Sequence, residues 1–192
     1  MGETTTAYLV SLSIDYPDRK LNRLTSFCRF LTVIPIGIIL ELIPGILFLP
    51  PMLMILFRKK YPKWWFDWSV ALTKFSSRVC AYSALLRDEY PSTDEDQSVH
   101  IEIPYPDAQK DLQRGMPLVK WLLALPHYIA LTFLHVAVVV VVVIAWFAIL
   151  FTGSYPRGLF DFVVGVLRWS LRVNLYAFLL TTDRYPPFRL SD

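Results

Sequence analysis

Four long apolar runs dominate the chain, and they fall into two pairs. The run from Pro126 to Phe151 contains no formally charged residue. About 20 apolar residues suffice to cross the hydrocarbon core of a bilayer, so this run predicts a membrane-spanning helix. The run from Pro35 to Phe57 is also long enough, but it contains Pro44, Pro50 and Pro51. Because proline removes a backbone donor, we expect this first helix to be kinked or broken.

The second run of each pair carries charges. Residues 159–181 place Asp161, Arg168 and Arg172 on one helical face, and residues 64–86 repeat that face. The repeated charges are Asp67, Lys74 and Arg78. A charge at the centre of a bilayer is costly unless it is paired or hydrated. Either the charged stripe turns inward to a partner or cavity, or these helices lie partly in the interface, and we favour spanning helices.

Each pair of apolar runs follows a short strand and an amphipathic segment. Residues 8–15 and 99–103 alternate apolar and polar side chains, which is typical of half-buried strands. We expect these two strands to lie outside the membrane and to pair with each other or with the tail. Residues 21–32 and 112–125 mix arginine and lysine with leucine and aromatic residues, which indicates segments at the headgroup level.

Corresponding residues recur 94 positions apart, which indicates an internal repeat. The residues that recur are Phe57, Tyr61, Pro62, Phe66, Asp67, Lys74 and Arg78, matched by Phe151, Tyr155, Pro156, Phe160, Asp161, Arg168 and Arg172. The predicted halves are residues 1–97 and 98–192. The predicted fold is an all-α membrane protein with four transmembrane or membrane-embedded helices. They form two parallel helical hairpins related by an axis along the membrane normal, each preceded by a strand and an amphipathic segment.

The distribution of basic residues predicts which side of the membrane each segment occupies. If all four runs span, ten lysines and arginines lie with the termini and with the polar linker between the halves (residues 87–97), and five lie at the two hairpin tips. The first set is Arg19, Lys20, Arg23, Arg29, Arg87, Lys110, Arg114, Lys120, Arg184 and Arg189; the tip set is Arg58, Lys59, Lys60, Lys63 and Arg157. This excess predicts a multi-pass protein of the cytoplasmic membrane with both termini in the cytoplasm.

Three stretches of the second half carry a resemblance to a known family. They are Thr152-Gly-Ser-Tyr-Pro-Arg-Gly-Leu-Phe-Asp-Phe, Arg168-Trp-Ser-Leu-Arg-Val and Asp183-Arg-Tyr-Pro-Pro-Phe. Over roughly residues 114–190 the chain resembles a bacterial integral membrane family known only as domain of unknown function 4389. The first half looks like a diverged copy, with Tyr61-Pro-Lys-Trp in place of Tyr155-Pro-Arg-Gly. The resemblance implies a helical protein of the bacterial inner membrane and supplies no catalytic residues.

The charged stripes are the main candidate sites. Arg168, Arg172, Asp161 and their counterparts Lys74, Arg78 and Asp67 can bind anionic lipid headgroups or line a polar cavity, because guanidinium groups grip phosphate through two hydrogen bonds. They can equally pair with one another or cap their helices. Arg157 at the hairpin tip is a further candidate for headgroup contact. Glu41 and His135 are isolated titratable residues in apolar runs and are candidates for a proton relay.

Composition narrows the possible functions. Hydrophobic residues make up 55% of the chain, and a net charge of +3 is too small to predict nucleic-acid binding. The three histidines lack ligand spacing, and no phosphate loop or nucleophile motif occurs, so we predict neither a metal, a cofactor nor an enzyme. The favoured function is a membrane scaffold or accessory subunit that binds anionic lipid and assembles into oligomers or a larger complex. The alternative is a small channel or transporter for ions or protons, lined by the Asp/Arg stripe or by Glu41 and His135.

Overall fold

The computed structural model describes residues 10–18, 20–42, 48–93, 95 and 97–191, without the side chains of residues 30, 31 and 35–42. The described chain is mostly helical, as predicted. In chain order its elements are β1 (Ser11–Ile14), α1 (Arg23–Leu42), α2 (Leu49–Arg58), α3 (Lys63–Ser83), β2 (Val99–Glu102), α4 (Met116–Leu123), α5 (Leu125–Thr152) and α6 (Arg157–Ala177).

The two charged helices, α3 and α6, begin in the same way. Pro62 and Pro156 precede them in extended conformation, with φ/ψ of −64°/128° and −62°/127°. Three residues before each proline the preceding helix ends in a left-handed residue, Lys59 at φ 49° and Gly153 at φ 76°. Glycine adopts this conformation without the steric cost that a side chain imposes, so the second turn is the less strained of the two.

The two apolar runs fold differently. The run predicted from Pro126 forms the single helix α5. Its counterpart forms α1 and α2, and Pro50 and Pro51 occupy the first turn of α2, where a missing N–H group costs nothing. The predicted interruption is therefore confirmed, while Pro44 lies outside the described residues.

The two strands pair with each other. β1 and β2 are antiparallel, with Leu12 opposite Ile101. Along each strand, burial alternates, so apolar side chains enter the core while Ser13 and His100 are exposed. Only the pairing partner had been left open by the sequence, and the part of the predicted strand before residue 10 lies outside the described residues.

Each strand packs on a helix from the other half of the chain. β1 contacts α6 and β2 contacts α3, while α1 contacts both α3 and α5, and α5 contacts α6. The helix α6 is therefore covered by α5 on one side and by β1 on another, and most of its residues are buried. The sheet lies beside the middle of α6, where Arg168 donates to the carbonyl of Leu12.

The predicted membrane topology is not what the structure contains. Charge counting placed Lys59 and Lys60 across a bilayer from Lys110 and Arg114. In the structure the Lys59 ammonium donates to the Gln109 carbonyl at 2.7 Å. At the opposite end, the Leu21 amide donates to the Gly153 carbonyl at 3.0 Å, which joins the second tip to the first amphipathic segment. Segments in contact cannot lie on opposite sides of a membrane, so the arrangement of four parallel crossings is wrong for this structure.

The path of the chain between the halves explains the error. Ser98 bonds to Asp15 at one end of α3, and Tyr105 reaches the Tyr61 carbonyl at the other end. Residues 98–105, which include β2, thus carry the chain alongside α3 toward its other end. The charge count assumed that only helices pass between the two sides, and a strand breaks that assumption.

Candidate functional site

The outer face of α5 is apolar and uncovered. Among the described residues, α5 is the one helix long and apolar enough to cross a membrane, and only 11% of its most apolar stretch is buried. Exposed large side chains follow one another at helical spacing along its length: Ile129, Phe133, Val136, Val140, Val143, Phe147 and Phe151. Soluble monomers rarely expose a continuous apolar face of this extent. This face is therefore the candidate contact surface of the molecule for lipid or for another protein.

Neighbouring helices extend the apolar face sideways. The N-terminal end of α1 lies beside the C-terminal end of α5, where the Trp146 indole donates to the Ser26 carbonyl at 3.3 Å and Phe27 stacks on Trp146. Exposed apolar residues continue onto α1, α2 and α4: Leu24, Phe27, Leu53, Phe57, Leu118, Trp121 and Leu122. We call the exposed apolar residues of α1, α2, α4 and α5 the apolar surface.

Basic and aromatic residues border this surface at the first hairpin tip. Arg58 and Lys60 are exposed, and Lys63 forms an exposed salt bridge with Asp67. Trp64 follows directly and is 70% exposed. Tryptophan and basic side chains are the residues that settle at a membrane–water interface, because each combines an apolar body with a polar end. We call Arg58, Lys60, Lys63 and Trp64 the basic rim.

The arginines of the second predicted stripe bind the protein's own backbone. Both Nε and Nη2 of Arg168 donate to the Leu12 carbonyl at 3.0 Å. Arg172 is 1% exposed, and it donates to the carbonyls of Arg189 and Ser191. Asp161 is exposed and makes no salt bridge with either arginine in the described part of the chain. The stripe therefore fastens β1 and the C-terminal tail to α6.

The first stripe is divided between different surroundings. Arg78 donates to the Ser92 carbonyl in the linker at 2.6 Å, just as Arg172 holds the tail. Lys74 is exposed beside β2 and Glu102, and Asp67 pairs with Lys63. The three charged residues that were predicted to form one continuous face thus lie in three different surroundings.

The remaining predicted site residues are not brought together by any described contact. Arg157 is exposed at the second tip, with its guanidinium 4.9 Å from the centre of the Tyr16 ring. His135 bonds through Nδ1 to the Leu131 carbonyl of its own helix at 2.7 Å. The side chain of Glu41 lies outside the part that the structure describes, so the proposed relay between it and His135 stays a prediction.

Two buried ion pairs were missed as sites by the sequence reasoning. In the first half, the Arg29 guanidinium pairs with Asp88 and donates to the carbonyls of Tyr82 and Arg87. The Asp88 carboxylate also accepts a hydrogen bond from the backbone N–H of Asn22 at 2.7 Å. This ion pair therefore attaches the linker to the first part of α1.

The second half contains the matching pair. The Lys120 ammonium lies 2.6 Å from Asp183 and donates to the Thr182 carbonyl at 2.7 Å. The Asp183 carboxylate accepts a hydrogen bond from the backbone N–H of Gln113 at 2.7 Å, just as Asp88 accepts one from the backbone N–H of Asn22. Burial lowers the pKa of Lys120, and Asp183 opposes that shift by stabilising the charged form.

A sequence signal for these pairs existed. Arg29 and Lys120 each precede an aromatic residue, Phe30 or Trp121, in the matched amphipathic segments. The linker and the tail share an Asp-x-Tyr-Pro motif, beginning at Asp88 and Asp183. What the sequence lacks is any indication that these distant segments meet. No cluster of metal-binding side chains occurs among the described residues.

Comparison with known proteins identifies a family for the second half. Residues 116–189 match the model of a family described as Domain of unknown function (DUF4389). The matched stretch contains α4, α5, α6 and most of the tail, including Lys120 and Asp183. The predicted resemblance to this family is confirmed over residues 116–189. Searches of curated proteins and of solved structures found no match.

Proposed function

We propose that this chain is a non-enzymatic scaffold or accessory subunit of a bacterial inner membrane, which holds anionic lipid at its basic rim. The uncovered apolar face of α5 is the observation that carries this proposal. Burying apolar surface is favourable by roughly 25 cal/mol per Å², and hydrocarbon is the partner that such a long continuous face fits. The family match supplies no activity that competes with this proposal.

In the proposed orientation, α1 and α5 lie along the membrane with the apolar surface in hydrocarbon. The sheet then faces away from the lipid. If α5 instead crossed the bilayer, α6 beside it would bring β1 and β2 to the same depth, and their free edges would be in hydrocarbon. Unpaired backbone groups are not tolerated there. The in-plane orientation keeps both termini on one side, predicted to be cytoplasmic, and replaces the multi-pass arrangement.

The orientation also accounts for the all-round apolar character of α5. One side of the helix packs on α6 through buried residues such as Leu131 and Ile149. The opposite side and the parts of the flanks that α1 leaves uncovered meet lipid, so no face has to be polar. Such a helix has no polar face to give to water, which is why a soluble location is disfavoured.

We propose the basic rim, rather than the helix stripes, as the place where anionic headgroups bind. Arg168 and Arg172 already donate to backbone carbonyls, and Arg172 is almost completely buried. Rim side chains are exposed and lie next to the apolar surface. The same contacts disfavour the alternative of a channel, because the arginines hold chain segments instead of lining a path.

We further propose assembly into oligomers or into a larger membrane complex. Among the described residues the sheet has two strands, so the outer edge of each strand lacks a strand partner there. An open strand edge is a surface for pairing with another chain. A second copy of this protein or an unrelated membrane subunit would complete it.

Vesicle flotation tests the lipid proposal. The full chain is diluted from detergent onto vesicles of phosphatidylcholine with or without phosphatidylglycerol, and the triple substitution Arg58→Gln, Lys60→Gln, Lys63→Gln is compared with the wild type. Each cation near an anionic surface contributes about 1 kcal/mol. We therefore expect partition into the anionic vesicles at low salt to fall roughly a hundredfold.

Two single substitutions serve as a matched control, because each removes one lysine charge but at a different place on the surface. Lys60→Gln should weaken binding to anionic vesicles, while Lys74→Gln, which removes the same charge beside the sheet, should not. Equal effects of the two substitutions, or an equal loss on neutral vesicles, would contradict headgroup binding at the rim.

A further inference from the structure

A cavity lies between the two charged helices, on the side of the sheet that faces the core. Its volume is about 520 Å³, which falls within the roughly 300–1,000 Å³ of small-molecule sites. β1 contributes Leu12 and Ile14 to one wall, and both side chains are buried. The other walls come from α3 and α6. This cavity belongs neither to the basic rim nor to the ion pairs described above.

Corresponding residues of the two halves face each other across the cavity. Ser76 and Ser170 both line it, and so do Cys80 and Asn174, which are likewise 94 positions apart. Two helices related in this way converge on one shared space. The cavity is therefore a product of how the halves are joined, and neither half could form it alone.

The chemistry of the lining selects a neutral, largely hydrocarbon ligand. None of the lining residues is charged. A phosphate or carboxylate buried here would have no cationic partner, and an unpaired buried charge is strongly disfavoured. Hydrocarbon meets no such penalty against Leu12, Leu171 and Leu179, which line the same space.

A few polar groups are available to orient a ligand. The Ser170 hydroxyl donates to the Val166 carbonyl of its own helix, and its oxygen lies 3.4 Å from His135 Nε2. Neither the Ser76 hydroxyl nor the Asn174 amide makes a side-chain hydrogen bond within the described structure, and Asn174 is exposed at the cavity. An ester or a glycerol hydroxyl would find both donors and acceptors there.

The cavity adjoins α5 and has an exposed side. Asn174, Ser170 and Phe178 line both this cavity and a smaller one that also involves Thr132 and His135 of α5. Cys80, Asn174 and Phe178 are exposed, so a molecule can enter past these three side chains. In the proposed orientation this exposed side is the lipid side, and a ligand could leave the bilayer without crossing water.

We infer that the cavity between α3 and α6 binds one acyl chain of a neutral lipid whose head carries uncharged hydroxyl or ester groups, such as an acylglycerol. Only the route of access rests on the proposed membrane function. The binding itself concerns a site that is separate from the basic rim.

The native thiol in the cavity gives a direct measurement. The chain has two cysteines, and Cys28→Ser leaves Cys80 as the only one. The full-length protein in detergent is reacted with N-ethylmaleimide, with and without monooleoylglycerol, and the rate is followed by intact-protein mass spectrometry. A bound acyl chain should slow the labelling of Cys80 about tenfold when the probe is at roughly ten times its Kd.

Two controls separate binding in the cavity from coating by detergent and probe. In the Cys80→Ser protein, labelling of the exposed Cys28 on α1 should be unchanged by monooleoylglycerol. Adding Ser170→Phe to the Cys28→Ser protein should abolish protection by filling the cavity, while Ser170→Ala should keep it. Native mass spectrometry of the unmodified protein should show one bound monooleoylglycerol, which does not depend on how any variant folds.

Three results would overturn the inference. These are equal protection of Cys28 and Cys80, protection by sodium oleate as strong as that by monooleoylglycerol, or no bound probe on the unmodified protein. Because the experiment is done in detergent, its failure would leave the flotation result untouched. A failure of flotation would likewise leave occupancy of the cavity measurable.

Discussion

The two halves of the molecule bury a cation in the same place, but they use different cations. Arg29 in the first half pairs with Asp88, and Lys120 in the second pairs with Asp183. Each cation also lies over a tyrosine ring, at 4.4 Å for Arg29 and Tyr82 and 5.3 Å for Lys120 and Tyr176. Since either cation serves, the position requires a positive charge with several donors rather than the fork shape of a guanidinium.

The two halves differ most in the segments that surround these shared contacts. The apolar run of the first half is divided between α1 and α2, whereas that of the second is the unbroken α5. In the second half the tail lies on α6, where Gly165 meets Leu190, while the corresponding Ala71 of α3 is exposed. The second half thus carries the long apolar helix and the more deeply packed one, and it is also the half that matches the family.

The largest expected effect is on the buried ion pairs. Asp183→Ala leaves the Lys120 ammonium, which is 0% exposed, with the Thr182 carbonyl and the face of the Tyr176 ring but without a negative charge. Removing one partner of a buried pair costs roughly 3–5 kcal/mol, and denaturant unfolding in detergent should show this loss. Asp88→Ala should cost less, because Arg29 keeps the carbonyls of Tyr82 and Arg87.

The control for both substitutions is Asp161→Ala, which removes an exposed carboxylate that has no salt bridge in the described structure. Its free energy of unfolding should stay close to that of the wild type. If Asp183→Ala were no more destabilising than Asp161→Ala, the buried pair would not be formed in the folded protein.

An intermediate effect is expected where the tail crosses α6. A Cβ atom at Gly165 would lie 2.9 Å from Leu190 Cβ and 3.2 Å from the Leu190 carbonyl oxygen. Gly165→Ala should therefore destabilise by about 1–3 kcal/mol and expose the C-terminal tail to limited proteolysis. Without the tail contact, the same change would stabilise the helix by roughly 0.5–1 kcal/mol. The sign of the change in unfolding free energy therefore shows whether the tail packs on Gly165.

The first half offers the reverse substitution as a comparison. Ala71→Gly should cost only about 1 kcal/mol of helix propensity, with no change in the proteolysis of the linker. If Ala71→Gly increased cleavage of the linker as much as Gly165→Ala increases cleavage of the tail, then α3 would be covered by the linker as α6 is by the tail, which would contradict the structure.

The smallest effect concerns pH and belongs to the first half alone. Partial burial raises the pKa of Glu89, but the hydrogen bonds from Ser98 and the charge of Arg87 outweigh burial and lower it below its usual value near 4.5. The resulting stabilisation is present above about pH 4.5 and is lost as pH falls through the lowered pKa. Since Glu89 is partly exposed, the amount should be under about 1 kcal/mol.

The measurement is the difference in unfolding free energy between wild type and Glu89→Gln from pH 6 to pH 3. The difference should shrink as the pH falls. The counterpart of Glu89 in the tail is Arg184, and its substitution removes no carboxyl group. The difference between wild type and Arg184→Gln should accordingly stay constant, and a parallel decline in both would contradict the assignment to Glu89.

Local features of the fold were predictable because they depend on neighbouring residues. The uncharged run after Pro126 predicts α5, and the closely spaced Pro50 and Pro51 predict the interruption before α2. Non-local features were not predictable in the same way. The pairing of β1 with β2 was one of two alternatives that the sequence left open, and the pairing of Arg29 with Asp88 was not predicted. Both join residues separated by more than 50 positions, and no local pattern specifies such partners.

The membrane topology failed for a related reason. Charge counting compares segments on the assumption that each apolar run crosses the bilayer. The hydrogen bond from Lys59 to Gln109 and the passage of β2 alongside α3 violate this assumption. The stripe of Arg168 and Arg172 was located correctly on one helix, but its partners are carbonyls of β1 and the tail, which helical periodicity cannot reveal.

The orientation of α5 in the membrane is the central claim, and its immersion depth can be measured. Nitroxide labels are placed singly at Phe133, Val140 and Phe147 on the apolar surface and at His100 on the sheet, in a cysteine-free background reconstituted into vesicles. Paramagnetic relaxation by oxygen and by a water-soluble nickel complex reports depth. The proposed orientation predicts similar shallow immersion at the three α5 positions and free access of nickel to His100. A depth profile that peaks at Val140 and falls toward both ends of α5, or nickel access at Val140 equal to that at His100, would contradict it.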